Sequence, residues 1–99
     1  MPNLNKLLHQ ELRLAIISFL APIEYADFNK LLEITSASKG NLSVQISKLK
    51  KAGYIEVKKS FKGNYPLTTC SISQKGIDAY EAYVNSISDY FKEFKSKGK

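Results

Sequence analysis

Between Lys39 and Lys62 the chain gathers side chains suited to binding a polyanion and reading base edges. Seven lysines (Lys39, Lys48, Lys50, Lys51, Lys58, Lys59, Lys62) lie here with a single acid, Glu56, so this stretch carries the whole formal net charge of +6. The remainder, with eight basic and eight acidic residues, is neutral. A basic stripe on a neutral background is an electrostatic footprint for a polyanion, the plainer alternative being a solvated lysine-rich surface. Leu42, Ile46 and Leu49 stand at i, i+4 and i+7 and define the inward stripe of a helix over about Lys39–Ala52. Counting about 100° per residue from Leu42, the outward arc holds Asn41, Ser43, Val44, Ser47, Lys48 and Lys51, with Gln45 and Lys50 on its shoulders. Amides and hydroxyls suit base edges, a small apolar group suits a thymine methyl, and ammonium groups suit phosphates. Asn41, Ser43, Val44 and Gln45 are therefore the expected base-edge readers, although Ser43 can also bond its own backbone. Lys48 and Lys51 are the expected phosphate contacts. No acid occurs from Ser36 to Tyr54, so the helix lacks the Glu–Lys pairing of an ordinary surface helix.

Other chemistry finds no support. A single cysteine, Cys70, cannot form an internal disulfide, and with the single histidine, His9, it cannot assemble a four-ligand zinc site. Neither residue has a partner set for catalysis, which leaves core, surface or mild redox sensitivity as their roles. Acid pairs such as Glu24 with Asp27, Asp78 with Glu81 and Asp89 with Glu93 have helical spacing but fall on polar faces. Gly40, Gly53, Gly63 and Gly76 stand alone, so no phosphate-cradling loop is present. The expectation is a protein that is not an enzyme and needs neither metal nor cofactor. The longest apolar run, Leu14–Ala21, is far short of the roughly 20 residues of a membrane span. Glu11 and Arg13 before that run and the lack of a small-residue cleavage site also speak against a signal peptide. A reduced, cytoplasmic setting is expected.

The elements that position the basic face follow from periodicity. Ninety-nine residues, 43% of them hydrophobic, suit one domain over residues 1–99 with one core. Leu4, Leu8, Leu12, Ala15, Ile16, Phe19 and Leu20 mark a first helix from Leu4 to Ala21, with Leu7, Leu14 and Ile17 widening its stripe; Pro22 ends it. Within it, Arg13 is expected to form an intramolecular salt bridge, phosphate contact being the alternative. Asp27 caps a short second helix that buries Phe28, Leu31, Leu32 and Ile34, and Thr35–Ser38 is a turn whose last residue caps the third helix. Gly53 closes that helix as a left-handed residue. From Ile55 the period becomes two, with Ile55, Val57 and Phe61 inward. Gly63 and Asn64 turn the chain, and Leu67–Ile72 returns, giving a hairpin over about 55–72 with Lys58, Lys59, Lys62 and Asn64 toward a duplex backbone. Charge protection of an edge strand is the other reading of those lysines. Ser73 caps a last helix over about 73–95, in which Ile77, Tyr80, Val84, Ile87, Phe91 and Phe94 form a heptad seam; Lys95–Lys99 reads as a frayed basic tail. Aromatic residues on that helix (Tyr80, Tyr83, Tyr90, Phe91, Phe94) can line an effector cavity, but at this spacing they read first as core or interface, and no motif supports a small-molecule effector.

Three helices, a two-stranded wing and a long last helix make an α+β, mainly α, winged helix-turn-helix. The chain resembles the winged-helix transcription regulators of the MarR/ArsR-like group, particularly the small single-domain ones. The matching segments are Leu12-Arg13-Leu14-Ala15-Ile16, Asp27-Phe28, Gly40-Asn41-Leu42-Ser43, Lys48 to Ile55, Pro66-Leu67-Thr68-Thr69 and Ile72 to Gly76, in order over about residues 4–94. The resemblance implies that the helix opening at Ser38 lies in a DNA major groove and that Lys62–Tyr65 reach the backbone or the adjacent minor groove. Asn64 and Tyr65 stand where similar proteins often carry arginines. It also implies a homodimer joined through the first and last helices, for which Leu4, Leu7, Leu8, Tyr80, Val84, Ile87, Phe91 and Phe94 are the candidate contacts. The expected function is sequence-specific binding of double-stranded DNA to regulate transcription. A protein-docking winged helix and a sequence-indifferent nucleoid-type binder stay open as alternatives.

Overall fold

The computed structural model describes residues 4–97. In chain order it contains α1 (Glu11–Leu20), β1 (Ala26–Asp27), α2 (Phe28–Thr35), α3 (Lys39–Lys51), β2 (Ile55–Lys62), β3 (Tyr65–Ile72) and α4 (Gln74–Lys97). This is the expected winged helix-turn-helix with one addition, a short strand β1 that makes the sheet three-stranded in the order β1-β3-β2. Every pairing is antiparallel, Ala26 facing Cys70 and Ile55 facing Ile72.

The caps read from the sequence are in place. The side chain of Asp27 accepts from the Lys30 N–H and that of Ser38 from the Asn41 N–H, each satisfying a donor that opens its helix. Ser36, at φ 55°, supplies the left-handed residue between α2 and α3. Gly53, at φ 81°, turns the chain out of α3. In the hairpin only Gly63 takes a positive φ, of the two residues expected to tolerate it. One apolar core joins Leu8 and α1 (Leu12, Ile16, Ile17, Leu20) to Leu31, to the α3 stripe Leu42, Ile46 and Leu49, and to Ile55 and Cys70 of the wing.

Residues 4–10 do not extend the first helix. The Asn5 side-chain oxygen accepts from the N–H groups of Leu7 and Leu8, at 2.9 and 3.1 Å, and caps a single turn. Gln10 is extended at φ −148°, and its side chain then caps α1 through the Arg13 N–H. Polar side chains that compete for backbone donors thus break a pattern whose apolar spacing is helical. The leucines bury all the same. Leu8 is completely enclosed in the core and so is not the interface residue it was expected to be, while Leu4 and Leu7 are partly buried against that core.

At its far end α4 continues through Lys97, two residues beyond the expected end of the helix, and residues 98–99 lie outside the described residues. The radius of gyration is 15.5 Å, against about 13 Å for a compact chain of this length, because α4 projects as an arm. No helix among the described residues is long and apolar enough to cross a membrane.

Cys70 belongs to the core, with no exposed surface. Burial pushes its thiol up to about 11. The unfolded thiol ionises near 8.5, so the native chain resists ionisation and folding stability declines as pH rises between those values. Native protein at pH 8 is expected to leave Cys70 unmodified by thiol reagents except during opening, with full labelling in denaturant; rapid native labelling would place the residue outside the core.

The junction of wing and last helix is close. The Tyr54 carbonyl accepts from the Ser73 N–H at 2.9 Å, and the Ser73 hydroxyl accepts from the Gly76 N–H at 3.0 Å. A Cβ on Gly76 would lie 2.1 Å from the Tyr54 carbonyl oxygen, which is backbone and cannot swing away. Gly76→Ala should therefore destabilise the fold by about 1–3 kcal/mol, read from the urea midpoint at unchanged m value.

Candidate nucleic-acid interface

The caps and the buried stripe of α3 fix which of its side chains meet solvent. Lys39, Asn41, Ser43, Ser47, Lys48, Lys50 and Lys51 are exposed, and Val44 is 50% exposed. One expected reader is not among them. Gln45 is only 8% exposed, turned from the shoulder of the helix into the protein, where its Oε1 accepts from Arg13 Nη1 and its Nε2 donates to Asn41 Oδ1 at 3.0 Å. Its position between Leu42, Ile46 and Leu49 widens the inward face, so it reaches no groove directly. Arg13 likewise makes no salt bridge among the described residues. Its Nε donates to the Leu7 carbonyl at 2.6 Å, so the guanidinium is held by neutral acceptors.

Strand alternation sorts the wing lysines. Lys59 and Thr68 pair across the hairpin and join Ser43, Ile46, Ser47, Lys50, Phe28 and Val57 around a groove between α3 and the sheet. Lys58 and Thr69 pair on the opposite face, where Lys58 shares a cleft with Glu24, Tyr25 and Glu56. The structure therefore brings Lys59 to α3 and leaves Lys58 behind the sheet beside two acids. Glu56, the lone acid of the basic stretch, also lies on that rear face, so the α3 side of the wing is free of carboxylates. Lys62 alternates onto the same face as Lys58, and with Asn64 it is exposed at the hairpin tip.

Two aromatic residues stand out at the wing tip. Phe61 is 75% exposed although the alternation placed it inward, and Tyr65, paired with Lys62 on the opposite face and already expected at the tip, is 78% exposed. The hairpin runs past the body of the protein, so nothing covers the inward face at that end. Lys50 also joins the groove beside Lys59, a placement its shoulder position on the helical wheel only hinted at.

A second face is apolar. Val84, Ile87, Phe91 and Phe94 of the α4 seam are 41–70% exposed, whereas Tyr80 is partly buried against the core and Tyr83 is buried. A shallow cleft between α1 and α4 is lined by Leu14, Ser18, Tyr80, Tyr83, Val84 and Ile87. Leu14 was not among the expected interface residues, because its place in a broad apolar stripe gave no direction. Tyr83 also meets His9, whose Nδ1 lies 2.7 Å from the phenol oxygen.

Residues 12–91 match the family model of the winged helix DNA-binding domain. An uncharacterized protein of Methanocaldococcus jannaschii is 33% identical over 82 residues, covering 83% of this chain and 89% of its own. In structure, the chain is similar to a transcriptional regulator homologue from Pyrococcus horikoshii (TM-score 0.85, 23% identity, 91% of this chain and 89% of that one). It is also similar to an Enterococcus faecalis protein assigned to the MarR family of transcriptional regulators (TM-score 0.76, 14% identity, 94% and 83%). With four-fifths of its length matched by the family model and its exposed basic helix in the position described above, the chain belongs to the winged-helix DNA-binding domain family and has the fold of MarR-type transcriptional regulators.

Proposed function

We propose that the protein regulates transcription by occupying a short duplex DNA site as a homodimer. The observation that carries this reading is the continuous basic face formed by exposed α3 and the α3 side of the wing, free of carboxylates except at its α1 edge, where Asn41 shares a cleft with Glu11. On it Asn41, Ser43 and Val44 stand where base edges would lie, and Lys39, Ser47, Lys48 and Lys51 flank them. Lys59 and Lys50 follow one strand of the backbone, and Lys62 and Asn64 reach it from the tip of the wing. Lys58, on the rear face, is left out of the contact set.

The exposed seam of α4 supports the dimer. Val84, Ile87, Phe91 and Phe94 repeat at coiled-coil spacing and would bury little against their own chain, so a second copy is their natural cover. Leu4, Leu7 and Tyr80, partly buried already, and Leu14 in the α1–α4 cleft would complete that surface. Two α3 helices related by the dyad would enter successive major grooves about 34 Å apart. A free thiol at Cys70 fits a reducing, cytoplasmic setting.

Selection from a random duplex library near ~0.15 M salt should enrich a two-fold symmetric motif. Lys48→Ala should weaken all duplexes alike, whereas Asn41→Ala should flatten preference at particular base pairs. If about six phosphates are neutralised, log affinity should fall against log salt with a slope near −5. Binding without enrichment would mark a sequence-indifferent architectural protein, and no binding would favour a protein-docking module. For the dimer, Phe91→Glu combined with Ile87→Glu should yield a monomer by sedimentation and lower affinity for the symmetric site at least about tenfold, since one half-site's contacts are lost. A variant that remained dimeric would remove the seam from the interface.

A further inference from the structure

Behind the exposed face of α3 runs a hydrogen-bonded chain that fixes the polarity of one candidate reader. It starts at the Leu7 carbonyl, which accepts from Arg13 Nε at 2.6 Å. Arg13 Nη1 donates to Gln45 Oε1, and Gln45 Nε2 donates to Asn41 Oδ1 at 3.0 Å. A guanidinium has donors and no acceptor. Gln45 can therefore receive it only through its oxygen, which turns the amide nitrogen toward Asn41. Asn41 in turn can receive that nitrogen only through its own oxygen. The orientation of each amide, otherwise ambiguous between two flips, is dictated by the arginine at the start of the chain. Gln45 is buried, and among the described residues no buried polar side-chain atom lacks a partner, so nothing in the interior competes for this arrangement.

The chain ends at Asn41, an exposed residue whose Nδ2 has no hydrogen-bond partner among the described residues. Asn41 lies in the first turn of α3, its backbone N–H capped by Ser38 and its Oδ1 occupied by Gln45. What it offers outward is a pair of amide donors. The familiar asparagine–adenine pair uses the amide oxygen on adenine N6 and the amide nitrogen on N7. An asparagine whose oxygen is already engaged from behind is poorly arranged for that pair and is matched instead to a base edge with two adjacent acceptors.

The geometry points to Arg13 and Gln45 as positioning residues that set Asn41 as a donor, so that the recognition helix selects guanine, through O6 and N7, at the base pair Asn41 meets. Neither positioning residue touches the DNA. This inference rests on the proposed docking of α3 in a major groove and adds to it the identity of one base and the reason for it.

The test uses the full chain and the same random duplex library, with Asn41→Ala first marking the base pair that Asn41 reads. Gln45→Glu keeps an acceptor for Arg13 but replaces the donor facing Asn41 with an oxygen. The Asn41 amide must then rotate, donate inward and present Oδ1 outward. Preference at the marked pair should move from guanine to a base with an exocyclic amine donor, cytosine or adenine, by at least about fivefold. Gln45→Met, of similar volume and without an amide, should leave the Asn41 amide free to turn, so that guanine discrimination there falls to within about twofold while the rest of the motif is retained. Thermal unfolding identifies which variants are folded, and the methionine variant carries the test if the buried carboxylate prevents folding. A folded variant that keeps the full guanine preference would overturn the inference, as would a wild-type preference for adenine at the marked pair or an Asn41→Ala variant that flattens no position. Failure of the wild type to enrich any motif would overturn the DNA reading itself, a distinguishable result.

Discussion

The placement of every functional surface depends on how the chain leaves α3. Gly53 takes a left-handed conformation, and the Tyr54 N–H still bonds back to the Leu49 carbonyl, so β2 departs at a fixed angle to the helix. The Tyr54 carbonyl then receives the Ser73 N–H, and the Gly53 carbonyl receives the Ser73 hydroxyl. The start of α4 is thereby tied to the end of α3 by two bonds across the root of the hairpin. Lys75 lies over this junction, its ammonium 5.9 Å from the centre of the Tyr54 ring. Helix, wing and arm diverge from one point, so a residue as small as Gly76 matters to all three.

Much of this was legible because it rests on local chemistry. Asp27, Ser38 and Ser73 are cap residues in cap positions, Gly53 and Gly63 sit where the backbone needs positive φ, and the change of period at Ile55 marks the wing. The failures have two causes, local polar side chains that take backbone donors and surroundings set by residues far off in the sequence. The two residues of β1 are too few to show any period and exist only because Ala26 meets Cys70. The helical spacing of Leu4 and Leu8 was real, but Asn5 took the backbone donors and Gln10 broke the run. Phe61 alternates correctly yet faces open solvent, because the hairpin outruns the body it would pack against. Gln45 is polar and lay on the helical shoulder; only Arg13, thirty-two residues earlier, makes burying it tolerable.

The two exposed faces differ in kind. On α3 the exposed groups other than Val44 are polar or cationic and are at ease in water, so their exposure costs the monomer little. Along the seam of α4 the exposed groups are aliphatic and aromatic, with Phe94 70% exposed and Phe91 59%. Covering such side chains is worth about 25 cal/mol per Å² of apolar area, which is the driving force the proposed dimer would draw on. The same seam lies at the far end of an arm whose first turns alone are anchored to the core. Ala79, Tyr80 and Tyr83 hold it there, and the His9–Tyr83 hydrogen bond adds a polar tie to the turn that precedes α1.

Between these faces stands α1. Its buried side packs against α3 and the start of α4, so it is the spacer that sets the distance from the apolar seam to the basic helix. Adjacent residues on it face the two surfaces in turn. Arg13 reaches Gln45 and through it Asn41, while Leu14 lines the cleft with Tyr80, Val84 and Ile87. A helix of ten residues is about 15 Å long and, packed on both sides, has little freedom to bend. In a two-fold assembly the separation of the α3 helices is therefore fixed by the packing of α1 and α4, and the hydrogen bonding of the α3 surface is fixed by one arginine of the same helix. In the proposed dimer, spacing along a duplex and readout within a groove would thus trace to neighbouring positions in a single short element, and the apolar stripe of α1 tolerates Arg13 because the Leu7 carbonyl and Gln45 Oε1 accept from its guanidinium.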